Sequence, residues 1–262
     1  MTAARSKRRV PIHTEEEIAG IRTAAQAAAW VRDRLRQIVK PGMTTLAVDH
    51  LASELIRETG GESAFYKYRG FPGRICVSLD DEVVHGIGRA DRCIQAGTVV
   101  SLDVGVKLNG FIGDTAVTFC PGTAADPQTV TRLIEGTRES LDAGILAARA
   151  NNHVNAIGHA VEKVVRSYGL SVVRDFVGHG CGCELHEPPE VPNFATPHPG
   201  PKLQPGMILA IEPMVNTGSH DVTVDADGWT VRTKDGGLSA HFEHMVLITK
   251  RKAEILTWPK KP

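Results

Sequence analysis

Asp103 and Asp114 lie on two β-branched, apolar runs, Thr98–Phe119, that fold back on Asn109-Gly110. Asn-Gly between such runs is a strong signal for a two-residue hairpin turn. With that turn Leu108 faces Phe111 and Asp103 faces Ala116, and side chains alternate faces with period two. Asp103 and Asp114 then project from one face as diagonal neighbours, roughly 7 Å apart at their stems. Two carboxylates on one face of an apolar hairpin repel each other and resist burial, so a cation between them is one outcome. A solvated face carrying two ordinary surface aspartates is the other.

The strand bearing Asp103 recurs later in the chain. An offset of 109 residues sets Ile94-Gln-Ala-Gly-Thr-Val-Val-Ser-Leu-Asp103 over Leu203-Gln-Pro-Gly-Met-Ile-Leu-Ala-Ile-Glu212, and Gly60 over Gly169. Acid on acid inside matched apolar strands favours a true repeat over chance. Asp114 is then expected to have its own counterpart. Glu243, in Ser239-Ala-His-Phe-Glu-His-Met-Val-Leu-Ile-Thr249, fills that place if the second hairpin carries about 20 extra residues. Two pseudo-symmetric halves would bring two hairpins and four carboxylates together on one sheet.

Four carboxylates carry about four negative charges, which two divalent cations neutralise and no single lysine could. Oxygen-rich ligation suits manganese, iron, cobalt or zinc in open coordination; a closed structural zinc favours thiolates. A fifth donor is expected from histidine. His179, in Val177-Gly-His-Gly-Cys-Gly182, is the best placed, because it follows an apolar strand and its flanking glycines let the backbone approach a metal. Two metals sharing a water lower its pKa toward neutral and polarise a carbonyl, which implies hydrolysis of an amide or ester. Glu212, if it touches both metal and water, could accept the water's proton and return it to the leaving group. His85 in Val83-Val-His-Gly-Ile87 and His186 in Leu185-His-Glu-Pro188 could bind substrate or shuttle protons. A structural role for these two histidines, and a mononuclear centre without Glu243, are the alternatives.

These residues need elements to aim them. Thr14 with Glu17 predicts a capping box, and Ile18, Ile21, Ala25, Ala28, Val31, Leu35 and Ile38 mark the buried stripe of a helix ending before Pro41-Gly42. A second helix is predicted from Thr44 or Thr45 to Gly60-Gly61. Strands are expected at about 75–79 and 98–119, helices at about 127–150 and 154–168, and strands near 171–177, 206–216, 229–233 and 240–249. Residues 1–13 read as a mobile basic tail and 14–262 as one domain, with repeats at about 14–120 and 123–250.

At 262 residues, 42% apolar, with 30 basic and 30 acidic side chains, the chain can bury a substantial core and shows no nucleic-acid bias. No apolar run is long enough to span a bilayer, and the basic start lacks the apolar stretch of a signal peptide. Five cysteines without a CxxC pair fit reduced thiols in the cytoplasm, although Cys181-Gly-Cys183 could form a soft-metal or redox site.

The motifs Val84-His-Gly-Ile87, Asp103 with Asp114, Gly178-His-Gly180, Ile211-Glu-Pro-Met-Val215, Asp227-Gly-Trp-Thr-Val231 and Glu243-His244 closely resemble the type I methionine aminopeptidases. The resemblance runs from about residue 14 over nearly the whole chain. It implies an α/β (α+β) "pita-bread" fold, two pseudo-symmetric halves with a mainly antiparallel sheet covered by helices. It further implies that Asp103, Asp114, His179, Glu212 and Glu243 hold two divalent metal ions, with Asp114 and Glu243 bridging and Glu212 handling the proton. His85 would assist proton transfer near the scissile bond, and His186 would contact the substrate. A cup for the methionine side chain would be formed by Phe65, Tyr68, Phe71, Cys76, Leu185 and Trp229, where a polarizable thioether meets aromatic edges. The activity implied is removal of the initiator methionine from nascent polypeptides when the second residue is small.

Departures from the family pattern touch the cup and leave every ligand in place. Gly88 follows His85-Gly-Ile where proline is usual, Asp80 stands where asparagine is common, Leu185 replaces an aromatic, and the loop reads Gly180-Cys-Gly-Cys-Glu184. The lengths imply the short bacterial form, expected to be cytoplasmic and monomeric. The basic segments Arg5–Arg9, Lys250–Lys252 and Lys260-Lys261 are candidates for contact with ribosomal RNA, a solvated tail being the alternative. An X-Pro aminopeptidase or prolidase, and a non-catalytic binding protein of the same fold, are the competing readings.

Overall fold

Thr14 caps the first helix as its spacing with Glu17 predicts. Its hydroxyl accepts from Glu17 N at 3.2 Å, and Glu17 Oε2 accepts from Thr14 N at 2.8 Å, so two otherwise orphaned donors are satisfied reciprocally. The computed structural model describes residues 9–258. The expected tail therefore falls largely outside the described residues, as do Lys260 and Lys261. Its last residue, His13, is buried and donates its N–H to Gly206 O at 2.9 Å.

Helix α1 (Glu15–Ile38) buries Ile18, Ile21, Ala25, Ala28, Val31 and Leu35 along one face, and α2 (Thr45–Glu58) follows, capped by the Thr44 hydroxyl. Each buried isoleucine, valine or leucine here contributes on the order of 1.5–3 kcal/mol of transfer free energy. The face of α1 lies on the hairpin Val100–Leu108/Phe111–Phe119 at very short range. A Cβ on Gly113 would sit 2.2 Å from the Ala24 carbonyl oxygen, so this position tolerates only hydrogen.

The hairpin has the register that its turn dictates. Leu108 pairs with Phe111 and Asp103 with Ala116, while Asn109 (φ 52°) and Gly110 (φ 85°) both adopt the left-handed backbone that a tight hairpin turn requires. The strand Cys76–Leu79 pairs along the other edge, placing Cys76 beside Asp103.

The second half repeats the order of two helices and then paired strands. Helix α3 (Pro127–Ala147) is capped by Asp126, which accepts from Thr129 N, and α4 (Asn155–Ser167) packs against it over Leu133, Leu141, Ile157 and Val161. Strands Ile208–Ile211 and Met214–Asn216 then pair with His244–Leu247 and Ser239–His241 respectively.

Two expectations are corrected here. First, the described strands form four separate hydrogen-bonded sheets instead of one. The continuous strand expected at 206–216 is interrupted at Glu212-Pro213, where proline has no N–H to donate, and its partner is interrupted at Phe242-Glu243. The halves still meet along a seam. Glu243 N donates to Ala116 O at 3.1 Å, and Thr118 Oγ1 both donates to His241 O and accepts from His241 N at 2.8 Å. Second, Glu243 is not the symmetry mate of Asp114. The pairs Ile211–His244 and Met214–His241 share one register across the interruption, and Phe242 N donates to Pro213 O, so Glu243 stands opposite Glu212. In the first half the place opposite Asp103 belongs to Ala116.

Among the described residues six short strands were not expected from the sequence: Glu62–Ser63, Glu82–Val84, Gly178–Gly180, Glu187–Val191, Val222–Val224 and Glu254–Ile255. Among the described residues no helix is long and apolar enough to cross a membrane.

Candidate metal centre and active-site cavity

All the candidate site residues line one cavity of about 260 Å³ between the two halves. Its floor carries Asp103 and Asp114 from the first hairpin, Glu212 and Glu243 from the interrupted strands of the second half, and His179 from Gly178–Gly180. The last of these strands pairs with Ile208–Ile211, so His179 lies beside Ala210 and its ring is carried toward Glu212. Its Nδ1 faces the Gly180 carbonyl at 2.9 Å. A carbonyl can only accept, so Nδ1 carries the proton and the Nε2 lone pair points into the cavity. Nε2 lies 3.3 Å from Glu212 Oε1 and 3.9 Å from Asp114 Oδ2. Single donor atoms of Asp114, His179 and Glu243 fall within 4.8 Å of one another.

Burial dominates the electrostatics of this floor. Desolvation pushes the Asp103 carboxyl up to about 7, with the Glu212 carboxylate adding to the rise and His241 opposing it. Glu212 also rises to about 7 through desolvation, offset in part by His179. Asp114 and Glu243 are likewise raised well above the ordinary carboxylate range, by burial first and then by the other carboxylates around them. Four acids so placed cannot all ionise without positive charge among them. Asp103 Oδ1, Asp114 Oδ1 and Glu243 Oε1 are buried with no hydrogen-bond partner. Orphaned, converging carboxylate oxygens beside an imidazole nitrogen are what hard or borderline divalent cations require, so the residues fit a metal centre.

The walls are apolar and aromatic. Phe65, Phe71, Cys76 and Leu185 are buried, and Trp229 meets Phe71 edge to face at 5.2 Å between ring centroids. Burial, with Asp103 and Asp114 close by, pushes the Cys76 thiol up, so it is a neutral wall residue. His186 Nδ1 lies 3.0 Å from the Tyr68 hydroxyl with the two rings stacked, and its ring centroid is 4.2 Å from that of His179. Desolvation, then the neighbouring His179 and Arg69, lowers its pKa to about 3. His85, held at φ 60° and packed edge-on against Phe176, is lowered by burial to about 4. Both histidines are neutral at pH 7 and can exchange hydrogen bonds without carrying charge.

His241 is a cavity residue that the sequence reading missed. It is buried, its Nε2 has no hydrogen-bond partner, and that atom lies 3.6 Å from Glu212 Oε2. Its position two residues before Glu243, hence on the same side of a strand, was the available signal. Phe176, which carried no motif, and Met214, which lies in Ile211-Glu-Pro-Met-Val215 without having been assigned to the site, complete the wall near His85.

Residues 19–250 match the model of metallopeptidase family M24. Methionine aminopeptidase 1 of Bacillus subtilis (strain 168) is 43% identical over 244 residues, covering 93% of this chain and 97% of that protein. Methionine aminopeptidase 1 of Mycobacterium tuberculosis is 39% identical, with 97% of each chain covered. The crystal structure of methionine aminopeptidase from Thermotoga maritima superposes with a TM-score of 0.92 at 40% identity, covering 95% of this chain and 99% of that one. The prolidase from Pyrococcus horikoshii OT3 shares the fold at a TM-score of 0.76 and 21% identity, but this chain covers only 64% of it. The fold is the pita-bread fold, and this chain belongs to the methionine aminopeptidases of metallopeptidase family M24.

Proposed function

We propose that this metal-dependent hydrolase removes the initiator methionine from nascent polypeptides with a small second residue, at the floor formed by Asp103, Asp114, His179, Glu212 and Glu243. The observation that carries the site assignment is the convergence of orphaned buried carboxylate oxygens with His179 Nε2 at the floor of a largely apolar cavity. Those five side chains, Asp114 and Glu243 among them, would hold two divalent cations drawn from cobalt, manganese, iron(II) or zinc. When bound, the cations polarise the scissile carbonyl and acidify a water.

The chain's own groups supply the rest. Glu212, with a carboxyl near neutrality, accepts the water's proton at one oxygen and returns it to the leaving amine. His85 and His186, both neutral, bond the substrate's reacting amide and hold it over the floor. Phe65, Tyr68, Phe71, Cys76, Leu185 and Trp229 enclose the methionine side chain and exclude water from it, a suitable bed for a thioether. Residues 14–262 act as one catalytic unit in the cytoplasm, as a monomer. The exposed Lys250–Lys252 segment and the basic N-terminal residues would contact ribosomal RNA, a contact that weakens as salt is raised.

The test is hydrolysis of Met-Ala-Ser against an Ala-Pro peptide, by protein loaded in turn with Mn(II), Fe(II) or Co(II). Free methionine released from the first only, lost in Asp103→Ala and severely reduced in Glu212→Gln, is the expected result. Cleavage of the Ala-Pro peptide instead, or full activity in Asp103→Ala, would overturn the assignment.

A further inference from the structure

Outside the catalytic cavity, a second set of metal donors stands where the chain enters α1. His13, Glu17 and Cys183 each offer one ligand atom within 4.8 Å of the others. Cys183 Sγ lies 3.9 Å from His13 Nδ1 and 3.9 Å from Glu17 Oε1, and His13 Nδ1 lies 3.9 Å from Glu17 Oε2. Bonds of about 2.0–2.3 Å around a tetrahedral zinc put its ligand atoms roughly 3.3–3.8 Å apart, so these donors, within 4.8 Å of one another, close by up to about 1 Å through rotation of the exposed Cys183 and half-exposed Glu17 side chains. We infer that His13, Glu17 and Cys183 form a second metal site, selective for a thiophilic divalent ion such as zinc.

The surroundings are arranged as a ligand's supports would be. His13 is buried, and its far nitrogen, Nε2, faces Glu187 Oε2 at 3.3 Å, without a well-aligned hydrogen bond completed at either atom. A carboxylate behind a histidine directs the ring N–H toward itself and turns the opposite nitrogen outward as a donor, the arrangement found behind metal-bound histidines. Glu187 also fixes the cysteine, because its Oε1 accepts from Cys183 N and Glu184 N at 2.8 Å each. Gly182 lets this loop close on α1, since a Cβ there would lie 2.6 Å from Ile21 Cδ1 and 3.2 Å from His13 Cε1. Cys183 itself is exposed, so the ion reaches the site from solvent, the thiol proton leaves to solvent, and water completes the coordination.

The consequence is mechanical. The loop from Cys183 continues directly into Leu185 and His186, both of which line the catalytic cavity. A metal here clamps that loop to the start of α1. It uses donors from the two halves of the fold and none of the five proposed catalytic ligands.

Cobalt(II) is the probe, because a thiolate ligand adds a near-ultraviolet charge-transfer band that oxygen and nitrogen donors do not. The full-length protein, Cys183→Ser, Glu17→Gln and Cys76→Ser are each titrated with cobalt, and retained metal is counted after dialysis. The inference expects the band in the parent and in Cys76→Ser, its displacement by added zinc, and its loss in Cys183→Ser together with about one metal equivalent. Glu17→Gln, altered at a half-exposed helix position, should show a weakened band at unchanged fold by circular dichroism. A parent without the band, a band that survives Cys183→Ser, or one lost in Cys76→Ser would overturn the inference.

Discussion

Glu212 stands directly across an interrupted strand pair from Glu243, whereas its repeat partner Asp103 stands across from Ala116. Asp114 instead lies opposite Gly105, two residues along the hairpin from Ala116. The halves therefore agree on the carboxylate of the leading strand and differ by one pleat repeat on the returning one. Because Glu243 N bonds Ala116 O across the seam, the offset brings Asp114 and Glu243 into the same buried floor, with donor atoms of both close to His179.

The metal-free protein should lose stability as pH rises from about 4 to about 7. Asp103 and Glu212 have folded pKa values near 7, above their unfolded values of 3.8 and 4.5, so the folded state binds more protons than the unfolded one in this window. Their stabilisation is fully present below the unfolded values and is lost as pH passes through the folded ones. The effect should reach the order of a few kcal/mol. Melting temperatures of apo-protein and of an Asp103→Asn/Glu212→Gln variant, followed from pH 4.5 to 7.5, isolate it from the ordinary ion pairs. Equal slopes in the two proteins would contradict it, and added divalent metal should abolish the parent's loss.

Deleting Asn109 or Gly110 should eliminate metal binding. A one-residue change of register moves every side chain of one strand to the opposite face, so Asp103 and Asp114 could no longer share a side. Calorimetric titration with Mn(II) reads this directly, and retention of full stoichiometry by a folded deletion variant would refute it.

Tyr68→Phe removes the hydroxyl that lies 3.0 Å from His186 Nδ1 and leaves the stacked ring in place. A lost neutral hydrogen bond costs about 0.5–1.5 kcal/mol, so kcat/KM should fall by up to roughly tenfold. Steady-state kinetics on a Met-Ala peptide check the effect, and a fall of a thousandfold would mean that Tyr68 does more than hold His186.

Gly113→Ala should destabilise the fold while the catalytic groups remain intact. The added Cβ meets the Ala24 carbonyl oxygen at 2.2 Å, and helix and strand must part to admit it. Overpacking of this kind costs about 1–3 kcal/mol, or roughly 2–4 °C of melting temperature for each kcal/mol in a chain of this size. A thermal melt unchanged within a degree would show that α1 moves freely on the hairpin.

Much of this arrangement was legible in the residues because it is local. The Asn109-Gly110 turn determines which side chains share a face, and the Thr14–Glu17 box sets where α1 begins; neither needs distant information. Glu212 was legible through the repeat. Glu243 was found, but by a symmetry that the register does not obey: the pairing runs unshifted through the interruptions and sets Glu243 opposite Glu212, where the first half sets Ala116 opposite Asp103. Those breaks also split the expected single sheet, and strand periodicity cannot reveal where a ladder stops. The strand Gly178–Gly180 was hidden by its glycines, which carry no strand propensity and are held extended by Ile208–Ile211 alongside. His241 and the His13–Glu17–Cys183 group depend on segments far apart in sequence, and no spacing announces them. The composition of the cup came from family resemblance, because aromatic residues in an irregular segment such as 63–73 read equally well as core.

The seam between the halves gives the centre an order of arrival during synthesis. The first half supplies Asp103 and Asp114, the second supplies His179, Glu212 and finally Glu243, and neither half alone presents more than part of the donor set. A growing chain that has emerged only as far as α4 thus exposes a hairpin with two unpaired aspartates and no hydrolytic capacity. The proposed centre is complete only when the last paired strands dock, so a partly synthesised copy would hold an incomplete donor set and no activity of its own.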